Sequence, residues 1–158
     1  MAYQIITDAT ADLNEELLAG LPEVKIIPMH LEVGGREYIF GPGGNIECDE
    51  FYKYLRSGQF ASTSQINPEV YRSQFESILK QGEDVLYLCF SSGLSGTYQS
   101  ASLAIEELKA EYPERQIICI DTLGASKRGA KRIVFSDDGL IFYTDDHYES
   151  FELLYGEP

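Results

Sequence analysis

Apolar and polar residues change period several times along the chain, and each change marks an element. The run YQII (3–6), ending at Thr7-Asp8, predicts a short strand. TADLNEELLAGL (10–21) brings Leu13, Leu17 and Leu18 to helical spacing, with Thr10 or Asp12 as the cap. VKIIPMHLEV (24–33) and REYIF (36–40) predict strands flanking a Gly34-Gly35 turn. On the first of them His30 alternates with Ile26, Pro28 and Glu32, a partly wet face on which a structural role is expected. ECDEFYKYLRSG (47–58) and PEVYRSQFESILKQG (68–82) predict helices, the second with Pro68 in its first turn, Gly82 past its end and a buried stripe of Tyr71, Phe75, Ile78 and Leu79. DVLYLCF (84–90) and RQIICID (115–121) are almost continuously apolar, as strands covered on both faces are. Between them, residues 95–112 place Tyr98, Ala101, Ala104, Ile105 and Leu108 on one helical face.

Strands alternating with helices predict an α/β fold, a mostly parallel sheet with flanking helices and right-handed crossovers. Ligands in such sheets bind outside the carboxyl ends of the strands, which directs attention to Thr7–Thr10, Ser91–Thr97 and Asp121–Ser126. The texture changes after that. RIVFSDDGLIFYTDDHYESF (132–151) alternates with period two around Asp138-Gly139 and predicts an antiparallel hairpin whose apolar face is Ile133, Phe135, Leu140 and Phe142.

A length of 158 residues allows one domain, or one domain with an appendage. Apolar residues make up 44% and charged residues 24%, a globular composition. Twelve basic against 26 acidic residues give a net charge of -14, which repels phosphate backbones and anionic headgroups, so no nucleic-acid partner is expected. Cys48, Cys89 and Cys119 have no CxxC spacing and an odd count, which fits a reduced, cytoplasmic setting. The start, MAYQIITDAT, lacks a secretory pattern, and no run of about 18 apolar residues occurs, so no membrane span is expected. No metal is expected either. Asp145, Asp146 and His147 are good ligand types, but three adjacent residues rarely converge on one ion. FGPGGNIECDE (40–50) has no lysine and reads as a wide turn leading to a helix cap.

The candidate chemistry lies in two loops. CFSSGLSGTYQSA (89–101) runs from a buried strand through serines and glycines into a helix, where glycine permits close approach and the first N–H groups favour an anion. ASTSQINP (61–68) is a second hydroxyl-rich loop before a helix, so Ser62, Thr63, Ser64, Ser91 and Ser92 could face one ligand. The alternative is that these serines only cap their helices. Neither loop holds a lysine or arginine and GxxxxGK[ST] is missing, which argues against a nucleoside triphosphate and makes a single carboxylate the better match for neutral donors. No cofactor is implied.

IITDATADL, IPMHLEVGGREY, DEFYKYL, TSQINPEVY, SSGLSGTYQSA and IDTLGAS, in that order and spacing, resemble the amino-terminal domain of the DegV family of bacterial fatty-acid-binding proteins, over about residues 1–126. The resemblance implies an α/β domain that holds a long-chain fatty acid and presents its carboxylate to a fatty-acid kinase, which phosphorylates it. By motif position, Thr63 and Ser92 would bond the carboxylate, with Ser62, Ser64, Ser91 and Gly96 nearby. Ala9 departs from the family, which usually has serine there. The match stops near Ser126, before the family's second, covering domain, so binding impaired by a missing lid is the expectation.

KRGAKRIVFSDDGLIFYTDDHYESF resembles the carboxyl-terminal end of the barnase-like guanyl-specific ribonucleases, over about residues 127–155. That resemblance implies His147 as general acid, Arg128 and Arg132 on the phosphate and Tyr148 near the base. A general acid needs an opposing base. The family's glutamate base, its lysine and its guanine loop come from earlier segments with no counterpart in residues 1–126. Residues 127–158 also carry four basic against seven acidic residues, which opposes RNA. The expected layout is therefore a DegV-like unit, 1–126, followed by a hairpin segment, 127–158, with no enzymatic activity. The alternatives are a ribonuclease fragment and an inert truncated domain.

Overall fold

In chain order the computed structural model contains β1 (Tyr3–Asp8), a 3-10 turn (Ala9–Ala11), α1 (Glu15–Leu18), β2 (Val24–Ile27), β3 (Met29–Val33), β4 (Arg36–Phe40), α2 (Cys48–Arg56), β5 (Ala61–Thr63), α3 (Pro68–Leu79), β6 (Asp84–Cys89), α4 (Thr97–Glu111) and β7 (Ile117–Asp121). The structure describes residues 2–123, together with the strands β8 (Arg132–Phe135), β9 (Ile141–Thr144) and β10 (Glu152–Tyr155).

The short strand predicted at 3–6 is β1 and the two runs predicted as buried strands are β6 and β7, which with β2 form a four-stranded parallel sheet in the order β2-β1-β6-β7. Side chains alternate across its two faces. Ile6, Val85, Tyr87 and Cys89 join Tyr71, Phe75 and Ile78 of α3 and Ala101, Ala104 and Leu108 of α4 in the main core. Ile5 and Leu86 head a second cluster with Tyr3, Val24, Leu88, Ile118 and Ile120. Each large apolar side chain fully buried in this way contributes roughly 1.5–3 kcal/mol. The small residues of α4, Ala101 and Ala104, let it lie close to α3. Pro68 starts α3, where its missing N–H costs nothing, and Gly82 (φ +82°) follows its end.

Proline also divides what reads as one strand in the sequence. VKIIPMHLEV breaks at Pro28, which has no N–H for a ladder. β2 stays in the parallel sheet, while β3 becomes the centre of a separate antiparallel sheet in the order β4-β3-β5. Val33 pairs with Arg36 across Gly34 and Gly35, whose φ values of +57° and +77° suit the two-residue turn. Met29, Leu31 and Val33 face the core, and His30 and Glu32 face solvent.

Two predicted elements differ. The helix expected over 10–21 is a 3-10 turn followed by the four-residue α1. The Asp8 side chain takes the Thr10 N–H first, Asp12 then turns left-handed (φ +50°), and Asn14, not Thr10 or Asp12, caps α1 by accepting from Leu17 N at 2.9 Å. Leu17 consequently stays 57% exposed. Residues 61–63, read as a loop, are β5, with Ser62 opposite Glu32 and Thr63 opposite Leu31.

β8, β9 and β10 form a third, antiparallel sheet in the order β10-β9-β8, with Arg132 opposite Thr144 and Phe135 opposite Ile141. The Asp138-Gly139 turn, Arg128, His147 and Tyr148 lie outside the described residues. Among the described residues no helix is long and apolar enough to cross a membrane.

Candidate functional site

The loops that follow β1 and β6 meet the segment after β5 at one end of the parallel sheet. Asp8 ends β1 and is completely buried. Its Oδ1 accepts from the Thr10 N–H at 3.1 Å and from the Thr10 hydroxyl, and its Oδ2 accepts from the Tyr87 hydroxyl at 2.8 Å. The Tyr71 hydroxyl lies 3.0 Å from that of Tyr87. Burial pushes both phenols above their usual range, and the nearby Asp8 charge pushes them further. Both phenols therefore keep their protons, and the buried Asp8 carboxyl accepts from three donors, the Thr10 N–H, the Thr10 hydroxyl and the Tyr87 hydroxyl.

The loop after β6 is fixed from within. Ser91 is 2% exposed, its carbonyl accepts from Leu94 N at 3.0 Å and Ser95 N at 3.2 Å, and its hydroxyl accepts from Gly93 N at 3.3 Å. The Ser92 N–H donates to Asp121 at 3.0 Å, which ties this loop to the end of β7. The Ser95 and Thr97 hydroxyls lie 2.8 Å apart, and Thr97 N donates to Ser95 Oγ at 3.2 Å. Gln65 joins the two loops. Its amide donates to the Gly96 carbonyl at 2.8 Å and to the Ser100 hydroxyl. A Cβ on Gly96 would stand 2.9 Å from Gln65 Oε1, so a larger residue there would displace the Gln65 amide that joins the loops.

The result is a cavity of about 200 Å³ that opens to solvent, with Thr10, Thr63, Ser64, Gln65, Ser95 and Thr97 among its walls. Thr63 and Ser64 make no side-chain hydrogen bond among the described residues, so their hydroxyls can donate inward. Beside it runs an apolar groove of about 420 Å³ between the sheet residues Ile5, Val24 and Leu88 and the leucines Leu13, Leu18 and Leu21. Thr10 and Phe90 belong to both and form their common wall. No lysine or arginine among the described residues lines either space.

Of the six ligand-binding residues predicted from sequence, Thr63 and Ser64 line the small cavity. Ser62 faces away on β5, opposite Glu32, and Ser91 is turned inward to brace its own loop. Ser92 is exposed and outside the lining, and Gly96 serves the contact with Gln65. Thr10, Ser95, Thr97, Gln65 and Phe90 were not singled out as ligand contacts. A signal for the hydroxyls was present, because SGT continues the polar stretch into α4. Nothing local distinguishes Gln65, whose partners are 31 and 35 residues away. Arg132 opens β8, and among the described residues no cluster of metal-ligating side chains occurs.

A third space, of about 420 Å³, lies where the 12–15 segment meets the 40–48 segment and is lined by Asp12, Glu15, Glu47 and Cys48. Burial, then Asp12 and the flanking acids, push the Cys48 thiol upward, so it is a poor nucleophile. Tyr52 donates to Asp12, and this bond raises its phenol to about 12.

With this geometry in place, the comparisons with known proteins are specific. The family model described as "Uncharacterised protein, DegV family" matches residues 2–130. The chain belongs to the DegV family. A DegV domain-containing protein of Clostridium perfringens is 38% identical over 123 residues, covering 78% of this chain and 42% of that protein. Among solved structures, a stearic-acid-binding protein of Eubacterium ventriosum superposes with a TM-score of 0.64 at 31% identity, over 75% of this chain and 41% of its own. A DegV family protein of Thermus thermophilus, whose structure reports fatty-acid binding, gives 0.60 at 33% identity, over 77% and 41%. The chain thus spans less than half the length of these DegV relatives.

Proposed function

We propose that the chain binds a long-chain fatty acid, with the carboxyl group in the hydroxyl-lined cavity and the acyl chain in the apolar groove. The observation that carries this reading is the common wall of Thr10 and Phe90. A small polar cavity of about 200 Å³ that shares a wall with an apolar groove suits an amphiphile, and the groove, at about 420 Å³, lies within the size range of ligand sites. The relatives from Eubacterium ventriosum and Thermus thermophilus, described as binding fatty acids, support it. Thr63 and Ser64 donate to the carboxyl oxygens, together with whichever hydroxyl of the Ser95–Thr97 pair keeps a free hydrogen. Each bond to a carboxyl oxygen contributes about 0.5–1.5 kcal/mol when the group is protonated and about 1.5–3 kcal/mol when it is charged, and each methylene taken out of water contributes about 0.8 kcal/mol.

The polar cavity opens to solvent, so the headgroup end of the ligand stays within reach of a second protein, consistent with presentation to a fatty-acid kinase. The reading treats residues 1–126 as the binding unit and 127–158 as a separate β segment. β8–β10 pair only with one another among the described strands, which supports that boundary. Native mass spectrometry of the chain purified from bacteria tests the proposal. A co-purified fatty-acid mass that is lost from the Thr63→Val variant is expected. An apo mass that gains nothing on addition of palmitate would overturn it.

A further inference from the structure

The hydroxyls around the polar cavity are not equivalent. Asp8 is a buried acceptor whose Oδ2 is taken by Tyr87 and whose Oδ1 takes both the N–H and the hydroxyl of Thr10. The single hydroxyl hydrogen of Thr10 therefore points back at Asp8, away from the cavity it lines. Only its lone pairs are left for a ligand. Thr63 and Ser64, with no such partner among the described residues, can donate. The groups that face this corner are Asp8 on β1, Tyr87 and Cys89 on β6 and Tyr71 on α3, with no cation among the lining residues.

We infer that Thr10, oriented by the buried Asp8, is a specificity-determining residue that presents an acceptor to the cavity and so selects a headgroup bringing a hydrogen of its own alongside its acceptor oxygen. Such headgroups are a protonated carboxylic acid or a primary amide; an ester, with the same carbonyl and no hydrogen, leaves the Thr10 lone pair desolvated and unmatched. Asp8 touches no ligand and acts through Thr10 as a positioning residue. The inference rests on the amphiphile reading above and adds the hydrogen-bond polarity of its headgroup end.

The test is competition of hexadecanamide and methyl hexadecanoate, two uncharged ligands with one tail, against a fluorescent fatty acid on the full chain. The amide should bind about fivefold or more tightly than the ester, the range expected of one additional matched hydrogen bond. Thr10→Val, which keeps the shape and removes the acceptor, should bring that ratio to about one, whereas a purely structural role for Thr10 would weaken both ligands together. Thr10→Ser should restore the preference. Asp8→Asn can donate to Thr10 and free its hydrogen, so in that variant the ester should gain on the amide. An unchanged ratio in Thr10→Val would overturn the inference while leaving fatty-acid binding intact. Failure of the unsubstituted chain to bind any of the three ligands would overturn both.

Discussion

The apolar groove and the acidic cleft have the same volume, about 420 Å³, and share Leu13 and Leu18 of one segment as wall residues. They differ in what else lines them. The groove adds Ile5, Val24, Leu21 and Leu88, and the cleft adds Asp12, Glu15 and Glu47 beside the apolar Ile26, Phe40 and Ile46. An acyl chain entering the groove leaves water for carbon. In the cleft it would meet carboxylates that must stay solvated, and its own carboxylate would be repelled. Volume therefore does not choose between them. Chemistry does, and so does position, because the groove borders the hydroxyl-lined cavity at Thr10 and Phe90 and the cleft shares no lining residue with that cavity.

Placing a charge in the groove should abolish this contrast. Leu88→Asp should weaken fatty-acid affinity by about a hundredfold, the equivalent of roughly 3 kcal/mol of lost apolar contact. Fluorescent fatty-acid titration measures it, with circular dichroism to establish that the sheet is retained. The matching change in the cleft, Glu47→Ala, should leave affinity within about twofold, since no lost hydrogen bond is involved. A large loss there would relocate the ligand.

Next in size is the donor in the polar cavity. Thr63→Val should lower affinity by about tenfold, as loss of a hydrogen bond to a carboxyl oxygen does. Ser92→Ala, whose hydroxyl lies outside the lining, should cost less than about twofold on the same scale. Isothermal titration of the two variants side by side would distinguish them, and a larger effect at Ser92 would return the headgroup to the outer loop.

A smaller effect is expected on the acidic side. The bond from Tyr52 to Asp12 raises the folded-state phenol from 10.0 to about 12. A raised phenol adds stability while it holds its proton, so the contribution is complete below pH 10 and is lost as pH rises through about 12. Urea midpoints of the parent and Tyr52→Phe should differ slightly at neutral pH and converge over that window. Fatty-acid affinity should not respond. Least of all should change at His147. The chain should leave a guanosine-linked dinucleotide uncut, and His147→Ala should alter neither that result nor lipid affinity. Cleavage that disappears in His147→Ala would show a base recruited from elsewhere in the chain.

The sequence made the parallel sheet legible because β6 and β7 are almost continuously apolar and alternate with helices, a pattern with few other solutions. α3 and α4 were legible from the spacing of Tyr71, Phe75 and Ile78 and of Ala101, Ala104 and Leu108. Of the second sheet, β3 and β4 were legible from their strand runs on either side of Gly34-Gly35, and β5 was not. β5 is three residues long with every residue exposed, so no apolar alternation marks it, and it exists through pairing with β3. The helix over 10–21 failed for a local reason, since Asp8 captures the Thr10 backbone before the leucine spacing can act. In the site, Thr63 and Ser64 were accessible from motif position. Gln65 depends on partners 31 and 35 residues away that the fold brings together, whereas the partner of Thr10, Asp8, is local.

Phe90 offers a practical handle on the whole arrangement. The chain contains no tryptophan, so its ultraviolet emission comes from tyrosine. An indole introduced by Phe90→Trp would be a solitary fluorophore standing in the wall between the two compartments. Its emission colour would follow the wetness of both at once, turning the boundary that separates headgroup from tail into an optical gauge of occupancy.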